Sequence, residues 1–297
     1  MKMPVRNCEL RIANCELTLR GSGCASPDSK FEIRNSKFAR AFTMVEIAIS
    51  LAVIGIALVA IIGVLPLGMR AQRSNREATI INQDVTIFIE AIRNGARGLD
   101  DLTNYVYAIT NSWGSFNASG VETSSGVNGY TFGSVSIAPG YYYSTGFPIS
   151  NGTNIIGLMS TPEFTDSAGN PTNNPFAGGY SNHVVAYVRS LSGLALEKPP
   201  QDNPLLRDSS FSYRIVCANV PLVADTNQLN SPYSRQLAAN LHDLRLTFLW
   251  PQLPNGGLGL GRQTFRTLVA GQMTQIPHNA GSQWPYFFQP QSFTNAP

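Results

Sequence analysis

A run of 21 residues with no ionisable group, Ile47 to Leu67, lies within the stretch AFTMVEIAISLAVIGIALVAIIGVLPLG that extends from Ala41 to Gly68. As a helix it spans about 32 Å at roughly 1.5 Å per residue, which matches a hydrocarbon core of roughly 30 Å. Residues 42–68 therefore read as a transmembrane helix, and the rest of the chain must be arranged around it. The one charge of the stretch is Glu46, at its very start. A carboxylate costs on the order of 2.5–3.5 kcal/mol at the centre of a membrane helix and less near an end, so it calls for a partner. One partner is local. Thr43-Met44-Val45-Glu46 fits the capping box S/T-x-x-E, in which Thr43 caps the helix and Glu46 reaches back to the Thr43 amide. The positive end of the helix dipole also suits a carboxylate there. On this pattern alone, capping in a plain signal anchor is one reading, and it leaves a second role for the carboxylate open.

The whole string resembles the type IV prepilin signature: a basic leader, a small residue, then Phe42-Thr43-x-x-Glu46 opening a hydrophobic helix. Resemblance to the type IV pilin-like proteins and pseudopilins implies several things together. A prepilin peptidase would cut between Ala41 and Phe42 and methylate the new amine of Phe42. Glu46 would pair with the N-terminal amine of a neighbouring subunit, a contact in which two groups that are costly to bury alone offset each other. Gly55 and Pro66 stand near where helices of this family loosen, with the kink expected at Pro66. The family usually has Gly before the cut, where this chain has Ala41. The implied fold class is α+β, a long N-terminal membrane-spanning helix packed on an antiparallel β-sheet head. The implied partners are the peptidase, other pilin or pseudopilin subunits and the inner-membrane assembly platform.

Three regions follow: a leader at 1–41, a long helix at 42–98 and an extracytoplasmic β-rich head at 99–297. The leader holds eight Lys/Arg against four Asp/Glu, and the remainder thirteen against fourteen. The overall charge of +3 is thus a property of the leader, and nothing favours nucleic acid as a partner. Asn-Cys-Glu-Leu recurs at 7–10 and 14–17, and Ser-Lys-Phe at 29–31 and 36–38, both with a spacing of seven. Gly21, Gly23 and Pro27 interrupt any coiled coil, so the leader reads as disordered, with a true start nearer Lys37 as one expectation. Arg70, Arg73 and Arg76 after the span nearly balance Lys30, Arg34, Lys37 and Arg40 before it. The prepilin resemblance decides for a single-pass inner-membrane protein with its N-terminus cytoplasmic and its head in the periplasm or on a filament.

Beyond Gly68, Ile81, Val85, Phe88 and Ile92 recur at helical spacing, with Arg76, Glu77, Asp84, Glu90 and Arg93 placed elsewhere around the helix. Gly95 and Gly98 are stop signals. From Asn111 to Asn182 the composition turns to Gly, Ser, Thr, Asn and Tyr, with strands expected at Tyr130–Ala138 and Gly140–Pro148 and a loop at Ser167–Tyr180. Further strands are expected at His183–Arg189, Phe211–Cys217, Asp243–Trp250 and Thr264–Ala270, and a short helix at Ser234–Leu241. In the third of these strands, Leu244, Leu246, Phe248 and Trp250 alternate with Arg245, Thr247 and Leu249, the period of a strand with one buried face. The run from Asn240 to Pro251, with the Gly-rich turn and Thr264-Phe265-Arg266-Thr267, is also similar to the closing strand pair of minor pseudopilin heads. A meander of about four antiparallel strands against the long helix is the expected result.

Motifs for chemistry are sparse. His183, His242 and His278 are isolated from one another and from cysteine, a poor pattern for metal or base catalysis. Asp100-Asp101 reads as solvated surface. Asp166-Ser-Ala-Gly-Asn170 departs from the calcium-loop pattern. Gly256 to Gly261 lies between strands and reads as a hairpin turn. Cys8, Cys15 and Cys24 belong to the leader, which leaves Cys217 alone and expected to be buried. No metal, cofactor or catalytic residue is assigned, and the chain is not expected to be an enzyme. The expected role is a minor structural subunit of a type II secretion pseudopilus or type IV pilus. The alternative is a membrane-anchored binding module with the helix as a simple tether.

Overall fold

A computed structural model describes residues 43–131, 149, 151–176, 178–192, 211–223, 231–253, 255–276 and 285–294. The leader, Ala41 and Phe42 lie outside the described residues, as do the strand expected at 140–148, most of the one at 130–138, and His278.

The longest element is α1, Met44–Arg93, 50 residues with Pro66 inside it. Its last turns bury Ile81, Phe88 and Ile92 completely and Val85 almost so, at roughly 1.5–3 kcal/mol for each fully buried large side chain. The helix stops at Arg93, short of the 98 expected, because Gly95 takes φ +56°. There the Gly95 amide donates to the Ile92 carbonyl and the Ala96 amide to Ala91. These two bonds form a Schellman closure, which needs a left-handed residue. Gly98, also at positive φ, lies in the segment leading to a 3-10 turn at Asp100–Asn104.

Seven strands form one antiparallel sheet: β1 Val106–Phe116, β2 Glu122–Thr131, β3 Phe164–Thr165, β4 Tyr180–Arg189, β5 Ser212–Pro221, β6 Leu241–Gln252 and β7 Leu258–Ala270. The order is β2-β1-β4-β5-β6-β7, with β3 on β4. The expected four-strand meander is present as β4 to β7. Its other edge is extended by the β1/β2 hairpin, which sequence reading missed. β1 begins with six consecutive buried residues, so no period of two marks it. β2 is mostly exposed and becomes a strand through its pairing with β1. Two short helices accompany the sheet, α2 Gly152–Met159 and α3 Pro232–Asn240. Asn151 caps α2, its side chain accepting from the Asn154 amide at 2.8 Å. A second, two-stranded sheet pairs β8 Gln272–Gln275 with β9 Tyr286–Gln289.

One hydrophobic core joins the α1 stripe to Val184, Ala186, Tyr213, Ile215, Leu244, Leu246 and Phe248 on the sheet. The Gly-rich run that reads as a turn is one only as far as Gly257. Gly259 and Gly261 are strand residues whose lack of a side chain admits Pro251 and the indole of Trp250 on the neighbouring strand.

Candidate functional site

The start of α1 contains a complete capping box. The Thr43 amide donates to Glu46 Oε2 at 2.8 Å, the Thr43 hydroxyl donates to the same oxygen at 3.1 Å, and the Glu46 amide donates to Thr43 Oγ1 at 3.3 Å. Both bonds to the carboxylate fall on Oε2, and Oε1 has no partner among the described residues. Glu46 itself is exposed. The capping box satisfies the helix end; it leaves acceptor capacity on the carboxylate for a cation brought by another chain.

C-terminal to this box, the large apolar side chains from Ile47 to Leu67 are all 49–73% exposed. That apolar window has mean hydropathy 2.9 and none of it is buried within the protein. Among the described residues this is one helix long and apolar enough to cross a membrane. Pro66 lies near the C-terminal end of the span, where its missing N–H removes one helical hydrogen bond. Arg73 and Glu77, beyond the apolar stretch, pair at 2.9 Å.

Within the head, the largest departure from the expected pattern is Asp84. It does not lie off the stripe among exposed charges; it is 0% exposed. Four residues before Phe88 and three after Ile81, Asp84 falls on the same face as the stripe. Its Oδ2 accepts from the Leu191 amide at 3.0 Å and from the Tyr213 hydroxyl at 2.8 Å, and its Oδ1 accepts from the Ser192 hydroxyl. One carboxylate thus ties α1 to the end of β4 and to β5. Burial pushes its pKa above the usual carboxylate value, and the bonds from Ser192, Tyr213 and Leu191 draw it part of the way back.

The other singled-out residues stay apart. His242 is buried edge-on to Phe288, neither ring nitrogen has a hydrogen-bond partner among the described residues, and burial lowers its pKa to about 4. His183 is exposed on β4. Cys217 is free and buried, which pushes its thiol up to about 12. Asp100 is not merely solvated, because its Oδ1 accepts from the Gly152 amide at 3.0 Å and holds the start of α2. Asp166 spends its carboxylate on its own loop, accepting from the amides of Ala168 and Asn170 and from the Asn170 side chain. Among the described residues no three His, Cys, Asp or Glu side chains converge as metal ligands.

The geometry defines an α+β chain with one long helix, apolar and uncovered at its start, and an antiparallel sheet packed on its later turns. No family model, curated protein or solved structure matches it.

Proposed function

We propose that this chain is a pilin-like structural subunit, held in the inner membrane by residues 42–68 and drawn from there into a type II secretion pseudopilus or type IV pilus. The observation that carries the reading is the juxtaposition at the start of α1: a carboxylate with one oxygen unpartnered among the described residues heads a helix whose large apolar side chains are exposed. Such a helix needs lipid before assembly and the helices of other subunits after it. Cleavage between Ala41 and Phe42 would leave the amine of Phe42 four residues from Glu46. The same amine on a neighbour is the cation that Oε1 would take, so Glu46 sets the register of one subunit against the next. Pro66 is the point at which the helix bends as it enters the bundle. The head is the surface for partners, in a minor, tip-proximal position suited to its size.

Glu46→Ala tests this reading. Loss of the cap costs at most about 1–2 kcal/mol of helix stability, too little to stop a span of this length from inserting. The variant is therefore expected to reach the membrane at the wild-type level and to fall at least tenfold in the sheared filament fraction of cells that express a matching assembly system. Equal amounts of variant and wild type in that fraction would reduce the helix to a tether.

A further inference from the structure

The sheet face that packs into the core changes character at one end. Ile109, Val184 and Ala186 are buried on it, and one step further the register sets Asn111 beside Asn128, and Trp113 beside Gly126 and Asn182. Asn111, Trp113, Asn128 and Asn182, with Tyr180 from β4 and Tyr286 from β9, line a cleft of about 510 Å³, within the roughly 300–1,000 Å³ of small-molecule sites. The Trp113 indole lies against Gly126, where any Cβ would meet it at 3.1 Å. Asn111 is 3% exposed; its Nδ2 donates to Asn182 Oδ1 at 3.0 Å, and its own Oδ1, itself covered, has no hydrogen-bond partner among the described residues. Tyr286 donates its hydroxyl to the Gly169 carbonyl at 2.9 Å and accepts from Gln275 Nε2 at 3.2 Å, which fixes the opposite wall. Among the described lining residues there is no Asp, Glu, His, Lys or Arg.

We infer that this cleft is a binding site for a neutral oligosaccharide. Side-chain amides from Asn128, Asn182 and Gln275 supply both donors and acceptors, as a polyhydroxylated ligand requires. Trp113 and Tyr180 supply apolar surface with a polar edge, suited to the C–H faces of sugar rings. An anionic ligand would find no counter-charge among the described lining residues. An extended peptide would be held by main-chain bonds at a strand edge, whereas this cleft opens on the face of the sheet. The site is independent of filament assembly and stands whether α1 packs in a bundle or serves as a tether.

The test is calorimetric titration of the full chain, in a detergent without a sugar headgroup, with cellopentaose, maltopentaose and N-acetylchitotetraose, and with a neutral Gly-Ser peptide of similar length. At least one saccharide should bind saturably. Trp113→Ala and Tyr180→Ala should each weaken it roughly tenfold, while the outlying Phe176→Ala leaves it within about twofold. Tyr180 is 43% exposed, so its variant carries the test even where the Trp113 variant fails to fold. Absence of saturable binding by all three saccharides overturns the assignment. So does binding of the peptide alone, or saccharide binding that Tyr180→Ala leaves unchanged.

Discussion

Phe88→Ala is expected to lower the stability of the head by about 3–5 kcal/mol, the usual cost of removing a buried aromatic ring and leaving its cavity. Phe88 is 0% exposed and sits in the middle of the stripe that joins α1 to the sheet. Ile87, its neighbour on the same helix, is 43% exposed, and Ile87→Ala should stay within about 0.5 kcal/mol of wild type. Urea unfolding of the detergent-solubilised chain, followed by tryptophan fluorescence, compares the two. A similar small effect at both positions would mean that the stripe does not hold the helix to the head.

Asp84→Ala should cost about 2–4 kcal/mol. It strands the Tyr213 hydroxyl and the Leu191 amide, buried donors worth about 1–3 kcal/mol each when unpaired, and the loss is partly offset because a desolvated carboxylate is also removed. Asp84→Asn should behave quite differently. An amide oxygen at the Oδ2 position can accept both of those bonds, and its NH₂ can donate to the Ser192 oxygen once that hydroxyl turns its proton away, so all three partners keep a bond to the side chain. The pH dependence separates the charge from the geometry. Because the folded pKa of Asp84 is raised, the folded state holds the proton more tightly than the unfolded chain. The associated stability is fully present below the ordinary value of 3.8 and is lost as pH rises through the higher folded pKa. Between acid and neutral pH the wild type should therefore lose stability relative to Asp84→Asn. A difference that is flat with pH, or that grows in the opposite direction, would contradict this account of the buried carboxylate.

These two residues also show what the sequence makes legible and what it does not. Phe88 could be read from spacing because its neighbours on the face are apolar. Asp84 has the same angular position, but a charged residue is taken as outward by default, and only the donors at Leu191, Ser192 and Tyr213, more than a hundred residues away, make its burial affordable. The meander from β4 to β7 was legible from alternation, as in Leu244, Leu246, Phe248 and Trp250. β1 was not, since Val106 to Asn111 are buried on both faces, and α2 was hidden in a Gly- and Asn-rich segment that carries no helical period. The capping box at Thr43 and Glu46 was readable because it is local, whereas the cleft draws on six separate segments between Asn111 and Tyr286. Local hydrogen bonding and periodicity leave a trace in sequence. Tertiary pairing of polar groups leaves almost none.

The central claim is that this chain is a prepilin-type subunit, and the N-terminal peptide mass of the membrane-bound protein tests it most directly, with and without a co-expressed prepilin peptidase. The account predicts a chain that begins at N-methylated Phe42 when the peptidase is present and retains Ala41 when it is absent. A chain that still carries Ala41 beside an active peptidase would contradict it, leaving Glu46 a helix cap and the span from 42 to 68 a membrane tether.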